Sequence, residues 1–375
     1  MQKKRIESIY SALDIGFNSL IAFLTFLYIN RFYGIDLLGY FGLLLSVTSL
    51  IETVQMGLYE KPAYLGFGIG FKNFKLKVHH LFVLTVLPLL VINQLIIPGY
   101  FLAGVMYSIS YVLIQNIRVH DYINHDIKKV SIRSFLIFLL TISLYSVIFF
   151  GSLKISLSML IVFISLFRFL FVIIEKEKIF SIKNENIKNE EIGFLVTSLL
   201  TFVRSRLPLW SLLPFGLGLV GIYEVFRTLL EIYLVPSRPI FLVMIKNLKR
   251  DGPRKIFRFG IVFALFTLIL VSISFFTITS SIYFGFNEIS NSSAFLSLLF
   301  IILFFWLSEI SGMIFQFNGF ITFEALRRAS SIIIFVFSVL LLFRFLDFRS
   351  YLFMISFMYF TEFFVAFYNK DKLRI

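Results

Sequence analysis

Apolar runs of about 18–25 residues recur along the chain from Ser8 to Tyr368, and about 20 such residues carry a helix across the hydrocarbon core of a bilayer. Short charged segments separate them. The pattern predicts about twelve spans, at 8–30, 37–59, 79–97, 100–117, 132–151, 155–175, 192–215, 218–243, 259–283, 294–317, 330–346 and 351–369. The intervening segments are too short for a separate globular domain. The expected architecture is therefore all-α: a polytopic membrane protein of two six-helix halves around a central cavity. Residues 1–178 form the N-terminal bundle, 179–190 a cytoplasmic linker and 191–375 the C-terminal bundle.

Composition agrees with this reading. Hydrophobic residues make up 59% of the chain and charged residues 15%, too little polar surface for an ordinary soluble domain. The net charge of +14 could be read as a nucleic-acid footprint, but its distribution argues otherwise. Basic residues gather in alternate segments, beginning with Lys3, Lys4 and Arg5 and ending with Lys370, Lys372 and Arg374. Arg118, Lys128, Lys129, Arg133, Arg327 and Arg328 belong to the same set. The other alternating set holds only Arg31, Lys154, Arg344 and Arg349. Cytoplasmic loops of membrane proteins are enriched in Lys and Arg, so both termini are expected in the cytoplasm and no nucleic-acid partner is implied. The basic start MQKKR is followed by no small-residue cleavage site and reads as part of a retained first helix.

Two stretches echo each other at half the chain length. Leu37-Leu38-Gly39-Tyr40-Phe41-Gly42 opens the second span, and Leu219-Val220-Gly221-Ile222-Tyr223-Glu224 opens the eighth. Both halves begin on the same side, so the repeat is parallel, with its axis along the membrane normal.

The residues most in need of explanation are charged ones inside spans, where an Arg, Lys or Asp costs about 2.5–3.5 kcal/mol at a helix centre. Glu224, Arg227, Glu231 and Arg238 follow spacings that put them on one face of the eighth span. They form either a self-neutralising ladder between helices or a polar stripe lining a transport cavity. Thr48, Glu52 and Gln55 make a second stripe, and Asp14 with Asn18 marks the first span. Asp14 and Glu52 have no basic neighbour in sequence, which makes them the ion- or proton-coupling candidates. The alternative is an arginine partner from the other half. Arg168, Arg204 and Arg206, the last two beside Pro208, join Arg227 as central guanidinium groups. Arginine suits phosphate because its planar fork gives two parallel hydrogen bonds.

Other chemistry is sparse. The chain has no cysteine, which removes disulfides, thiol catalysis and cysteine metal sites. His120-Asp121 and His125-Asp126 lack further ligands for a metal. There is no phosphate loop, nucleophile elbow or zinc-binding helix motif. No catalytic residue, metal or cofactor is expected.

The segment from Ile9 to Tyr64, with Tyr33-Gly34 and Leu38-Gly39-Tyr40-Phe41-Gly42, resembles the start of polysaccharide flippases of the multidrug/oligosaccharidyl-lipid/polysaccharide exporter superfamily. The segment from Glu190 to Lys249 resembles the start of that family's second half, with Gly218-Leu219-Val220-Gly221-Ile222-Tyr223 and then Pro236-Ser237-Arg238-Pro239. The nearest group is the Wzx-type O-antigen flippases. The chain is short for that family, and the proline-rich end of the eighth span is unusual for it. The resemblance implies translocation of undecaprenyl-diphosphate-linked oligosaccharide repeat units, from the cytoplasmic to the periplasmic leaflet of a bacterial inner membrane. Arg168, Arg204, Arg206 and Arg227 would hold the diphosphate. Glu224, Glu231 and Gln55 would line the cavity, and Asp14 or Glu52 would couple a proton or sodium ion. Membrane lipids and a glycan polymerase are the implied partners in lipopolysaccharide assembly. A drug or cation exporter of the same superfamily and a membrane polysaccharide polymerase are the competing readings. The longest expected outer loop, about Phe284 to Ser293, leaves a polymerase little room for chemistry.

Overall fold

A computed structural model of the chain describes residues 2–55, 99–123, 126–151, 155–175, 189–234, 260–273, 292–342 and 347–369, with residue 153 and scattered positions between 252 and 258. These residues are helical almost throughout. The helices are α1 (Gln2–Tyr33), α2 (Ile35–Gln55), α3 (Phe101–Ile123), α4 (Ile127–Phe150), α5 (Leu157–Ile174), α6 (Asn189–Ser211) and α7 (Leu217–Leu234). They continue with α8 (Gly260–Ile273), α9 (Ser292–Phe317), α10 (Ile321–Leu342) and α11 (Phe348–Tyr368). Eleven of the expected spans thus have a helix. The expected span at 79–97 lies outside the described residues. Helix α6 begins within the segment read as the linker.

The distribution of side chains is that of a protein in lipid. Phe353, Phe357, Phe360, Phe364 and Phe367 form an exposed stripe along α11, and Met159, Phe163, Leu166, Leu170 and Ile173 do the same on α5. Spacings of three and four keep each stripe on one helix face. Meanwhile Asp14, Arg204, Glu224, Glu324, Arg327 and Glu362 are buried. Among the described residues, five helices are long and apolar enough to span a membrane: α4, α5, α9, α10 and α11. Helices α1, α2, α6 and α7 pack against one another, so less of their surface must be compatible with lipid. The protein is a multi-pass, all-α membrane bundle.

The helices pack in two sets with the same plan. In the first, α1 meets α2 and α4, α3 meets α2, α4 and α5, and α4 meets α5. In the second, α6 meets α7 and α10, α9 meets α7, α10 and α11, and α10 meets α11. Substituting α6, α7, α9, α10 and α11 for α1 to α5 converts one list into the other. Among the described residues, the principal contacts between the sets are α2 with α7, α2 with α6, and α1 with α7. They also obey the exchange.

The turns repeat as well. Gly34 (φ 86°) separates α1 from α2, and Gly216 (φ 106°) ends a short 3-10 turn, Leu213–Phe215, before α7. Both need the left-handed region that glycine enters without a steric penalty. Pro208 sits one turn from the end of α6. It cannot donate to the Arg204 carbonyl, and the helix stops at Ser211. The Tyr351 hydroxyl, from α11, donates to the Pro208 carbonyl and ties this weakened end to its neighbour.

Candidate functional site

The two sets meet where α2 and α7 cross near their first turns. A β-carbon on Gly39 would overlap the Leu217 carbonyl oxygen, and one on Gly221 would overlap the Ile35 carbonyl oxygen. The contact is reciprocal, because 217 and 221 lie 182 positions after 35 and 39. The same offset relates Asp36 to Gly218, whose β-position lies 3.2 Å from the Asp36 Oδ1. It also relates Gly42 to Glu224, whose carboxyl carbon lies 2.7 Å from where a Gly42 β-carbon would be. Each of these three facing pairs contains a glycine. The α2–α7 contact is thus a local two-fold seam, tightest at Gly39 and Gly221, where backbone leaves no room for a side chain, and looser at Gly218, where a β-carbon meets only the end of the Asp36 side chain.

Below the seam lies a charged cluster belonging to the second set. The Glu224 side chain is fully buried and lies over Gly42. The Arg227 Nε donates to Glu224 Oε2 at 2.7 Å, and the Arg206 Nη1 stands 3.8 Å from Glu224 Oε1. That Oε1 accepts no hydrogen bond. Arg206 and Arg227 each retain slight exposure (12% and 11%). Beside the cluster, a cleft between α1, α2 and α7 is lined by Phe23, Phe26, Asn30, Leu38, Val225 and Thr228.

Arg204, one turn before Pro208, is placed elsewhere. It is 1% exposed and spans two carboxylates, Glu362 on α11 and Glu309 on α9, each at 2.5 Å. Arg327 binds Glu324 at 2.8 Å and the Ser308 Oγ at 2.8 Å. Arg328 binds Glu324 at 2.5 Å and the Thr201 hydroxyl. Ser331 donates to Glu362 at 2.9 Å. Three guanidinium groups and three carboxylates form one neutral, interlocked network joining α6, α9, α10 and α11.

This network corrects the sequence reading of Arg327 and Arg328. The charge pattern assigns them to a loop, whereas both lie in α10 and are buried. Arg118, set just past the end of its expected span, is likewise helical, and Arg133, at the start of its expected span, is buried. Arg118 lies in α3 and binds Asp14 at 2.6 Å. Arg133 lies in α4 and binds Asp121 and Glu175, each at 2.6 Å. Their carboxylate partners come from other helices, and that pairing lets a basic residue leave the aqueous rim. The Glu324-x-x-Arg327-Arg328 spacing is the one sequence signal that points this way.

Asp14 is fully buried and also accepts from the Ser134 Oγ at 2.5 Å and the Asn18 Nδ2 at 3.0 Å. The fourth central arginine, Arg168, is alone in having no carboxylate within 4 Å among the described residues. Its guanidinium lies 4.4 Å from the Tyr107 ring centroid and 5.1 Å from that of Tyr111, and donates to the Tyr107 hydroxyl at 3.3 Å. Its Nη1 is buried without a hydrogen-bond partner. The side chains of Glu52, Gln55 and Glu231 lie outside the described residues, as does Arg238. Among the described residues no cluster of His, Asp or Glu is arranged to hold a metal.

No protein-family model and no curated protein matches the sequence. The fold does match solved structures. A MOP-superfamily transporter from Pyrococcus furiosus Vc1 (DSM3638), described by a reverse polarity of its binding pocket that suggests a different function, superposes with a TM-score of 0.69. The identity is 10%, over 98% of this chain and 95% of that one. The Vibrio cholerae MATE transporter VcmN gives 0.65 at 11% identity, covering 100% of this chain and 98% of VcmN. An outward-facing multidrug resistance MATE transporter of the MOP superfamily gives 0.57 at 13%, covering 99% and 96%. The chain therefore has the fold of MOP-superfamily transporters.

Proposed function

We propose that the protein is a flippase that carries undecaprenyl-diphosphate-linked oligosaccharide from the cytoplasmic to the periplasmic leaflet of a bacterial inner membrane by alternating access. The observation that carries this reading is the convergence of Arg206 and Arg227 on the carboxylate of Glu224, where the two helix sets meet. A diphosphate offers several acceptor oxygens in a compact dianion, and two guanidinium forks match it. The anion-binding role falls to Arg206 and Arg227, with Arg168 as a further contact in the first half. Arg204 is assigned to the frame of the second half, because both its carboxylate partners hold it away from the seam.

With the basic loops in the cytoplasm, the α2–α7 seam closes the outer face and the headgroup enters from the cytoplasmic side. The halves, residues 1–178 and 191–375, then rock about the seam while the lipid tail stays in the bilayer. Coupling to a proton or sodium ion is proposed at Asp14, whose bond to Arg118 links α1 to α3, and at Glu52. A glycan polymerase would take over the translocated unit.

Export of a cationic drug is the second reading, favoured by the multidrug MATE description of one structural neighbour. A cation entering the seam, however, would meet the guanidinium groups of Arg206 and Arg227. The test is complementation of a strain lacking the gene. The Arg206→Ala/Arg227→Ala variant, with Glu224→Gln added so that no buried carboxylate is left without them, should reach the membrane at normal level and display no surface glycan. Normal glycan in that variant would remove the anion reading. Altered drug susceptibility with intact glycan in the deletion strain would put the exporter in its place. A display of single repeat units would mark a polymerase.

A further inference from the structure

We infer that Glu224 is a built-in substitute for the anionic headgroup and the latch of the seam: it neutralises Arg206 and Arg227 while its side chain fills the notch over Gly42 on the opposite helix. The inference rests on the proposed anion-binding role of the two arginines and adds how binding opens the transporter.

The geometry supports both halves of the statement. A carboxylate buried in a membrane interior requires charge-assisted partners, and Glu224 has them in Arg227 at 2.7 Å and Arg206 at 3.8 Å. Its methylene carbons meanwhile lie against the Gly42 backbone, across the seam from its own helix. One side chain therefore reports the charge state of the arginines to the contact between the halves. The longer Arg206 contact and the unbonded Oε1 are a weak point at which an incoming anion can compete. A phosphate that takes the guanidinium groups leaves Glu224 with a charge and no counter-charge in a dry notch. Leaving the notch for water relieves that cost and separates α2 from α7. An anion is thus the ligand class that releases the latch by taking the arginines, and a neutral molecule, which takes no counter-charge, does not release it.

The test uses the absence of native cysteine. Asp36→Cys with Gly218→Cys places a thiol on each side of the seam, at positions already in contact. The rate at which the full-length protein forms this disulfide in membrane vesicles reads how much of the population is closed. Glu224→Gln, nearly isosteric, should slow it about tenfold, the size of a modest two-state shift. Gly42→Ala, which displaces the Glu224 side chain without touching its charge, should slow it too. An unchanged rate in both variants would overturn the latch. A separate arm adds geranylgeranyl diphosphate, or the neutral alcohol geranylgeraniol, to the vesicles. The diphosphate should slow cross-linking in the otherwise native sequence and have no effect in Arg206→Ala/Arg227→Ala. Slowing by Glu224→Gln without any response to diphosphate would keep the latch and discard the diphosphate as its key.

Discussion

Gly42 and Glu224 hold equivalent places in two copies of one repeat, 182 residues apart, and they meet across the seam between those copies. Residues related by a two-fold axis and close to it must face each other, so two bulky side chains cannot occupy such a pair. The chain breaks its own symmetry there, with a glycine in one half and a glutamate in the other. At the Gly39/Gly221 pair it keeps the symmetry, because each glycine faces a backbone carbonyl and neither can grow.

These two kinds of pair should respond differently to a methyl group. Gly39→Ala drives a β-carbon into the Leu217 carbonyl, which can yield only if α2 and α7 move apart. Gly42→Ala meets the flexible Glu224 side chain. Overpacking in a close-packed interior typically costs about 1–3 kcal/mol, and Gly39→Ala belongs at the upper end of that range. Thermal unfolding of the detergent-solubilised protein should show a clear drop for Gly39→Ala and a smaller one for Gly42→Ala. Equal shifts would mean that the seam is not tight.

The Arg204 network and the Arg206–Arg227 pair should separate stability from transport. Removing Arg204 takes the 2.5 Å guanidinium partner from both Glu309 and Glu362 and leaves the network one positive charge short, and loss of one member of a buried ion pair costs about 3–5 kcal/mol. Arg204→Ala should therefore accumulate poorly in the membrane and melt at lower temperature. The Arg206→Ala/Arg227→Ala variant would leave the buried Glu224 without these two partners, so it carries Glu224→Gln as well; with that change it should accumulate well and fail in glycan display. If both variants accumulate normally, the network is not what holds α6, α9, α10 and α11 together.

Eleven of the expected spans and the repeat were legible because both are written in local pattern: runs of apolar residues and one six-residue echo. The echo located the seam but not its logic, which appears only when Gly42 and Glu224 face each other. Arg118, Arg327 and Arg328 were misplaced as loop residues for a physical reason. A basic residue near a span end looks aqueous until its carboxylate is known, and those carboxylates lie up to 104 positions away in sequence, as for Arg118 and Asp14. The choice between ion-pair ladder and cavity stripe for the eighth span was open for the same reason. Glu224 and Arg227 form a ladder step that also borders the seam, and Arg204, read as a central anion-binding group, pairs with Glu309 and Glu362.

Asp14 and Arg118 offer a test of coupling against structure. Asp14→Asn leaves Arg118 without its 2.6 Å partner and should destabilise the first helix set. Adding Arg118→Gln removes the stranded charge and should restore most of the lost thermal stability, a coupling of about 0.5–3 kcal/mol in a double-mutant cycle. Transport by the restored double variant, measured as glycan display with and without a dissipated proton gradient, then reads coupling alone. Full, gradient-sensitive transport by that variant would remove Asp14 from the coupling machinery.

Arg168 provides the opposite sign. Its guanidinium lies over two tyrosine rings and, among the described residues, strands no carboxylate when removed. Replacing a buried charge that has no ionic partner by an apolar group of similar reach relieves desolvation, and cation–π contacts return only about 2 kcal/mol when desolvated. Arg168→Met should therefore leave the melting temperature unchanged or raise it, whereas Arg204→Met should lower it. Glycan display should fall in Arg168→Met in spite of the intact fold. A marked loss of stability in Arg168→Met would show that the tyrosine contacts are structural, and the first-half anion contact would be withdrawn.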